Sequence, residues 1–330
     1  MPLKKLRRLL IPVDQEAVFH SSDPADPRVG DVLAPLDSIE GGVTTRCVIV
    51  GCPQHIGIER NSGRPGAAAA PDAIRSALHR MATSAIEVPI RDGRLSVSDA
   101  GDIDTNGKTL EQIHDELHDV VENLIATGHF PIVLGGGHDC AWPTICAYEE
   151  IGEPYGLINI DAHADVRPLK DEIKAHSGSP FRQMLDASSS FLAKGAFVEF
   201  GLQHVAVAKD HLDYLRSHDA TILMLDEIRS DGVHSAWSRA IAASAAPGRF
   251  HITLDMDGFA SAFAPGVSAP STNGFTPWDI APLLRMAASS PSLTSFDVVE
   301  VSPPFDQDGR TAKLAASMIM EVLAGLAERR

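Results

Sequence analysis

The sequence has few cysteines, a deficit of basic residues and no long apolar run. Its four cysteines form no CxxC pair, and 330 residues can bury a sufficient core without disulfide bonds, so we expect reduced thiols. Acidic residues outnumber basic ones by 44 to 28, and the net charge of −16 disfavours binding to nucleic acid or anionic membranes. No segment reaches the ~18 apolar residues of a membrane span. These absences predict a cytoplasmic protein without nucleic-acid or membrane partners.

The residues that are present predict a folded α/β protein. Hydrophobic residues make up 44% and charged residues 22%, which excludes a disordered or collagen-like chain. Short β-rich runs alternate with helical patterns, which is typical of parallel strands with helices on both faces. The predicted strands are 47–50, 95–100, 131–134, 156–160, 197–201, 221–225, 250–254 and 295–301. The predicted helices are 71–81, 109–127, 142–150, 209–217, 233–245, 277–288 and 309–328.

The domain organisation follows from where this alternation begins. Residues 1–45 contain five prolines and no sustained periodicity, so they are interpreted as an extended N-terminal arm. Residues 46–330 show no linker and are predicted to form a single catalytic domain. Both a closed (β/α)8 barrel and an open three-layer α/β/α sheet fit the alternation, and both place functional sites at the carboxyl ends of the strands.

Polar side chains cluster directly after four of the predicted strands, in the segments 135–139 (GGGHD), 161–165 (DAHAD), 255–257 (DMD) and Glu300. In extended chain, residues i, i+2 and i+4 point to one side, so the ligands of one run can converge. So many carboxylates would repel one another unless cations neutralised them. The candidate metal ligands are His138, Asp161, His163, Asp165, Asp255 and Asp257.

The ligand types indicate the metal and the chemistry. Histidine nitrogen with carboxylate oxygen and no thiolate suits Mn²⁺ or a similar divalent ion. Six ligands exceed the usual demand of one ion, so we expect two ions about 3.5 Å apart that share carboxylates and hold a bridging hydroxide for hydrolysis. Two alternatives stay open at this stage, a non-catalytic metal-binding protein and a phosphatase-like metallohydrolase. A single Asp after a strand would more often be a helix N-cap than a ligand.

The motifs GGGHD, DAHAD, DMDGF, APGVSAP and DVVEVSPPFD resemble those of the ureohydrolases, the family of arginases, agmatinases, guanidino-acid hydrolases and formimidoylglutamase. The resemblance extends from about Cys47 to the C-terminus. It implies an open three-layer α/β/α sandwich with a mostly parallel sheet of about eight strands, two Mn²⁺ ions per subunit and a homo-oligomer, either a trimer or a hexamer. It also implies the six metal ligands above, and catalytic roles for Asp165 and for Glu300, which would hold the cationic end of the substrate.

The loop 176–183 (HSGSPFRQ) bears on the substrate. Guanidine-cleaving members usually carry a proton-transferring His where this chain has Ser177, and the form of this loop is similar to formimidoylglutamase. The resemblance therefore implies hydrolysis of N-formimidoyl-L-glutamate to L-glutamate and formamide. An agmatinase or another guanidino-acid hydrolase releasing urea is the alternative, supported by the Pro-Pro pair in VSPPFD, and His176 is a candidate for a displaced proton shuttle.

The charges of N-formimidoyl-glutamate give an independent criterion, because this small-molecule substrate joins an amidinium to two carboxylates. Arg167 and Arg182 are suited to bidentate carboxylate contacts, although either could instead form a surface ion pair. The predicted substrate-binding residues are Arg167, Ser177, Ser179, Arg182 and Glu300.

Overall fold

A nine-stranded sheet forms the centre of the computed structural model, which describes residues 8–36, 43–187 and 190–329. The strands within these ranges are β1 (Leu10–Ile11), β2 (Thr45–Gly51), β3 (Leu95–Ile103), β4 (Phe130–Leu134), β5 (Tyr155–Ile160), β6 (Leu192–Leu202), β7 (Thr221–Met224), β8 (Phe250–Asp255) and β9 (Leu293–Val299). Their order is β1-β3-β2-β4-β9-β8-β5-β6-β7. Every neighbouring pair is parallel except β1 with β3.

Twelve α-helices accompany the sheet in the described residues. They are α1 (Val29–Val32), α2 (Ile56–Arg60), α3 (Ala70–Leu78), α4 (Glu87–Arg91), α5 (Leu110–Ala126), α6 (Ala141–Ile151), α7 (Pro180–Asp186), α8 (Lys209–Ser217), α9 (Leu225–Asp231), α10 (Val233–Ser244), α11 (Pro277–Ser289) and α12 (Arg310–Ala327). Helix α5 begins with a capping box in which Thr109 and Gln112 satisfy each other's backbone N–H groups.

The sheet is open and its two faces are covered by different helices. Strands β1 and β7 are its free edges, so the closed-barrel alternative is excluded. Apolar residues of α3, α10, α11 and α12 pack on one face, and those of α5 to α8 pack on the other. Strand β5 is buried along its whole length, as expected of a central parallel strand covered on both sides. The predicted three-layer α/β/α sandwich is therefore confirmed.

The elements differ from the prediction mainly where they are short. Each predicted strand overlaps one of β2 to β9, and each predicted helix overlaps a long helix. The two-residue β1 and the five helices α1, α2, α4, α7 and α9 were not predicted, because segments of two to seven residues show too little periodicity.

The described part of the N-terminal arm packs on its own chain. Leu10 pairs with Ile103 across the β1–β3 ladder, which adds an antiparallel edge strand to the sheet. Val29 in α1 is fully buried and belongs to the main core. Within the described residues, no helix is both long enough and apolar enough to cross a membrane.

The strand order decides where the polar clusters meet. Strands β4, β9, β8 and β5 are consecutive neighbours in the sheet. Because all four are parallel, their carboxyl ends lie at one edge, and each end carries one of the four polar segments. The fold thus brings residues that are up to 162 positions apart in the chain to one site, as in the contact between His138 and Glu300.

Candidate metal centre

The loop after β4 is made of three glycines because neighbouring backbone leaves no room for side chains. A Cβ atom on Gly136 would lie 1.8 Å from the carbonyl oxygen of Gln54, and one on Gly137 would lie 2.6 Å from Asp139 Oδ1. The chain can therefore pass this point only without side chains. This close passage brings His138 to the edge of the sheet in a fully buried position.

All six predicted ligands converge in two groups that share one carboxylate. His138 Nδ1 lies 3.2 Å from Asp161 Oδ2 and 3.0 Å from both Asp165 Oδ2 and Asp255 Oδ2. In the second group, His163 Nδ1 lies 3.4 Å from Asp161 Oδ1 and 3.2 Å from Asp257 Oδ1. The donor atoms within each group all lie within 4.8 Å of one another. Asp161 thus offers one oxygen to each group, the arrangement expected of a bridging ligand.

The histidine and carboxylates of the first group are arranged to bind a divalent cation and not to hydrogen-bond with one another. His138 Nδ1 is buried and makes no hydrogen bond, although three carboxylate oxygens lie within 3.2 Å of it. These oxygens therefore surround the nitrogen without being aligned to accept a proton from it. Nitrogen and oxygen donors without sulfur are the set that Mn²⁺ accepts. The residues present fit such an ion.

Hydrogen bonds behind His138 orient its ring. Thr253 Oγ1 donates to Asp297 Oδ1, since a carboxylate can only accept, and its oxygen lies 3.0 Å from His138 Nε2. Thr253 must then accept a proton from Nε2, which leaves the lone pair of Nδ1 facing the carboxylates. Asp297 Oδ2 is also 2.9 Å from His251 Nε2. This network fixes the tautomer that metal binding requires.

Burial makes the carboxylates of the site costly to ionise together. Burial raises the pKa of the Asp255 carboxyl well above its usual range, and the charges of Asp257 and Asp161 raise it further. Burial, followed by the Asp255 charge, likewise raises the pKa of Glu300. The pKa of Asp257 is raised to about 7, again chiefly by burial. Bound cations would offset this repulsion directly.

Two site residues have backbone conformations that favour glycine. Asp165 has φ 43° and Glu300 has φ 63°, in the left-handed region that costs a non-glycine residue free energy. The Glu300 N–H donates to Gly136 O at 2.9 Å, and its Oε1 accepts the His138 N–H at 3.0 Å. These bonds hold Glu300 against the glycine loop, next to the clustered ligands.

A cavity of about 400 Å³ opens onto the site. Its lining combines candidate ligands and Glu300 with the nitrogen-bearing residues Arg64, Arg167 and His211. Burial, followed by the charge of Arg167, lowers the pKa of His211. The cavity therefore contains both carboxylates and arginines.

The sequence matches the arginase family over residues 45–325. The chain belongs to the arginase family. The match includes every residue of the two ligand groups and excludes most of the N-terminal arm. Membership makes the protein a hydrolase of carbon–nitrogen bonds in linear amidines.

Individual relatives within the arginase family point to one branch of it. The formimidoylglutamase of Rhodococcus opacus is 33% identical over 297 residues, which cover 88% of each chain. A crystal structure of Trypanosoma cruzi formiminoglutamase with Mn²⁺ is 32% identical, has a TM-score of 0.83, and aligns with 92% of this chain and all of that one. Proclavaminate amidino hydrolase from Streptomyces clavuligerus is 26% identical with a TM-score of 0.77, over 98% of this chain and 99% of that one.

Two arginines of this arginase-family cavity are held in place by neutral groups. Arg64 donates through Nε to Ser268 O at 2.8 Å and through Nη2 to Val267 O at 2.7 Å, and its guanidinium lies 4.2 Å from the centre of the Phe305 ring. Arg167 donates through Nη1 to Asn61 Oδ1 at 3.0 Å. Neither has an acidic partner among the described residues, so both charges are available to a ligand.

Arg64 and His211 were not predicted from the sequence. Arg64 lies between β2 and α3, and nothing in the sequence indicated that its side chain reaches the cavity. His211 lies in α8, which carries none of the motifs.

Ser177 is the one polar residue of the loop 176–183 that lines the cavity, and its Oγ accepts from Asn61 Nδ2 at 3.1 Å. His176 is buried, with Nε2 3.0 Å from Pro168 O and Nδ1 accepting from Gly178 N at 3.1 Å. Both ring nitrogens are therefore engaged inside the loop. This geometry does not support His176 as a displaced proton shuttle.

Ser179 and Arg182 do not reach the cavity. Ser179 is buried, and its hydroxyl donates to His176 O at 2.9 Å, which closes the loop. Arg182 lies on α7, where Nε is 2.7 Å from Asp186 Oδ2 and the guanidinium stacks 3.9 Å from the centre of the Tyr214 ring. It lines a different cavity. This geometry does not support the predicted substrate-binding role of these two residues: Ser179 holds a loop, and Arg182 forms a surface ion pair.

Proposed function

We propose that the protein hydrolyses N-formimidoyl-L-glutamate to L-glutamate and formamide, with two Mn²⁺ ions held by His138, Asp161, His163, Asp165, Asp255 and Asp257. The observation that carries the proposal is a cavity lined by the carboxylate cluster together with Arg64 and Arg167, two arginines with no acidic partner among the described residues. The formimidoyl amidinium would be held beside Glu300, and the two carboxylates of the substrate would be held by Arg64 and Arg167. Similarity to several formimidoylglutamases supports the same substrate.

The site residues divide the reaction among them. Mn²⁺ ions, when bound, lower the pKa of water and stabilise the negative charge that develops on hydrolysis. Glu300 would hold the amidinium by charge and hydrogen bonding. Asp165, the most exposed carboxylate of the first group at 14%, faces both the ligands and the cavity. In this proposal its carboxylate would take a proton from the attacking water and deliver it to the departing nitrogen.

The two arginines that line the cavity disfavour the main alternative, an agmatinase. Agmatine is cationic at both ends, so its amine would lie beside the unpaired charges of Arg64 and Arg167. The Pro-Pro pair of VSPPFD, which resembles agmatinases, has another use here. It begins the short turn Pro303–Phe305 that places the Phe305 ring against Arg64. The segment thus contributes to holding a cation at the cavity.

A substrate panel tests the proposal. Purified Mn²⁺-loaded protein is offered formimidoyl-glutamate, agmatine, arginine and guanidinobutyrate, and both formamide and urea are quantified. We expect formamide from formimidoyl-glutamate, with kcat/KM at least a hundredfold above that of the guanidines. Urea released from agmatine at the higher rate would instead assign the chain to the agmatinases.

Two controls separate the enzyme from other metalloproteins. Asp161→Ala should lose both metal and turnover, since its two oxygens serve both ligand groups. A generic aryl phosphate should not be hydrolysed by the wild-type protein. Turnover of the aryl phosphate, or full turnover by Asp161→Ala, would contradict the proposed binuclear amidine hydrolase.

A further inference from the structure

A second cavity, of about 260 Å³, lies at the opposite edge of the sheet and is lined by basic residues. It lies at the amino ends of β2, β4, β8 and β9, far in the topology from the metal ligands at the carboxyl ends. Its basic residues are Arg46, His129, Arg249 and Arg329. The chain as a whole is acidic, with a net charge of −16, whereas the side chains around this small cavity are basic.

Two of these arginines have no acidic partner among the described residues. The Nε atom of Arg46 is buried and makes no hydrogen bond. Arg329 donates to two neutral carbonyl oxygens, Ala288 O at 2.8 Å and Leu293 O at 2.6 Å. Burial lowers the pKa of Arg329 to about 10, as expected for a cation without a counter-charge. Only Arg249 forms an ion pair within the described chain, with Glu153 at 2.6 Å.

His129 contributes a buried ring nitrogen, Nε2, that has no hydrogen-bond donor among the described residues. The side chain is 6% exposed, and its Nε2 atom is buried without a hydrogen-bond partner. The Thr127 hydroxyl donates to Asn123 O at 2.6 Å, so its oxygen accepts from His129 Nδ1 at 2.9 Å. The neutral imidazole then carries its proton on Nδ1 and presents a lone pair at Nε2. Leaving such a buried acceptor unpaired is costly, so a hydroxyl donor that reached Nε2 would be stabilised there.

One kind of ligand could both neutralise the arginines and donate a hydrogen bond to His129. Arginine guanidinium groups bind phosphate oxygens through paired N–H donors. A hydrogen phosphate group also carries one O–H, which can donate to His129 Nε2, whereas sulfate carries none at neutral pH. The volume is below the ~300–1,000 Å³ of pockets that take drug-sized ligands, so the occupant is small. We propose that this cavity binds a hydrogen phosphate group, either inorganic phosphate or the phosphate of a small monoester.

Calorimetric titration of the Mn²⁺-loaded full-length protein at pH 7 and constant ionic strength tests the proposal. We expect one inorganic phosphate per chain, bound at least fivefold more tightly than sulfate. Arg46→Gln should weaken phosphate binding at least tenfold, and Arg249→Gln serves as a second variant at the same cavity. Glycerol 3-phosphate distinguishes the sources: binding tighter than that of inorganic phosphate supports a monoester, and weaker binding supports the free ion.

Matched variants exclude binding elsewhere. Arg239→Gln removes an equal charge from a surface pair with Asp231 and should leave the affinity unchanged within about twofold. His129→Phe should abolish the preference for phosphate over sulfate. Phosphate bound at the metal centre would survive Arg46→Gln and Arg249→Gln unchanged, which would overturn the proposal. It would also be overturned if the wild type bound no phosphate at 10 mM (roughly 3 kcal/mol of binding energy), or if Arg239→Gln weakened binding as much as Arg46→Gln.

Discussion

Whether the charge of Arg167 or Arg182 is available to a ligand depends on the partner that its guanidinium contacts. Arg182 meets a carboxylate four residues away on the same helix, and its charge is used there. Arg167 meets only the amide oxygen of Asn61, so its charge remains directed to the cavity. Arg182 lies in a loop whose form resembles the family, Arg167 lies two residues after the motif DAHAD, and their side chains are chemically identical. Only the tertiary neighbours distinguish an arginine whose charge is available to a ligand from one in a surface ion pair.

Substitution of Arg167 tests the charge-based assignment of the substrate. Arg167→Met should lower kcat/KM for formimidoyl-glutamate by about 1.5–3 kcal/mol, the usual value of a hydrogen bond to a charged group. Arg167→Lys should recover part of the loss, because an ammonium cannot reproduce the planar two-donor contact. Steady-state kinetics measure both. Arg182→Gln is the control and should change kcat/KM less than about threefold, since that side chain lies outside the cavity.

Any activity on agmatine gives the contrary readout for the same variants. Loss of Arg167 should leave that activity unchanged or raise it, because a repulsive cation has been removed. An equal loss on acidic and cationic substrates would mean that Arg167 supports the site generally and does not bind a carboxylate.

Substitution of Thr253 tests how His138 is oriented. Thr253→Val keeps the shape but removes the hydroxyl that accepts from His138 Nε2 and donates to Asp297. Loss of such an outer partner typically weakens metal affinity about 10- to 100-fold. Competition with a chelator measures the Mn²⁺ affinity. Thr253→Ser retains the hydroxyl and should bind within about threefold of the wild type; a Val variant with wild-type affinity would remove Thr253 from this role.

The strand is the element that explains why the ligands and their supports come together. On β8, residues 251, 253 and 255 point to one face of the sheet. The pleat that directs Asp255 toward the site therefore also places His251 and Thr253 beside the side chains of β9 on that face. Their partners are direct neighbours in the ladder, with His251 opposite Ser295 and Thr253 opposite Asp297. A single register therefore sets both the ligand and its supporting hydrogen bonds.

The glycine loop after β4 provides an element-scale prediction. Gly136→Ala should abolish Mn²⁺ binding and lower the melting temperature strongly, because its Cβ would lie 1.8 Å from the backbone oxygen of Gln54. Gly107→Ala is the control. Its φ of 69° costs about 1–2 kcal/mol, but no atom lies within 4 Å of the added Cβ. It should be mildly destabilised and bind Mn²⁺ normally; normal Mn²⁺ binding by Gly136→Ala would contradict the steric account.

At the scale of the whole molecule, we expect bound metal ions to stabilise the folded state in addition to serving catalysis. The four clustered carboxylates repel one another when they are ionised without cations, so metal binding is linked to folding. At a free Mn²⁺ concentration of 100 times Kd, one site adds about 2.7 kcal/mol to the free energy of unfolding. Removing metal with a chelator should therefore lower the melting temperature by several degrees, and added Mn²⁺ should restore it. Thermal unfolding followed by circular dichroism measures the shift.

Asp161→Ala is the control for the metal effect on stability. Its melting temperature should respond little to chelator or to Mn²⁺, because both ligand groups have lost a shared carboxylate. A shift as large as that of the wild type would mean that Mn²⁺ stabilises the protein from another site.

The sequence by itself determined the alternation of strands and helices, the long elements and the set of candidate ligands. Alternating apolar runs and helical periods are local properties, so β2 to β9 and the seven long helices were predicted to within a few residues. The polar segments DAHAD and DMD were predicted to follow strands, and the six candidate ligands do converge at the strand ends. They do not follow the two-residue period of extended chain, because Asp165 has φ 43° and Asp257 lies in the short turn Met256–Gly258.

Only the tertiary structure decided which of the remaining side chains share a space. The strand order, the β1 edge and the placement of Arg64 by Phe305 depend on residues up to 241 positions apart, whose contacts leave no periodic trace in the sequence. The same is true of the engagement of His176 within its own loop and of the basic cavity at the amino ends of the strands. The sequence gives the chemical type of each side chain. Whether that side chain is free to bind a ligand depends on the neighbours that the fold brings into contact with it.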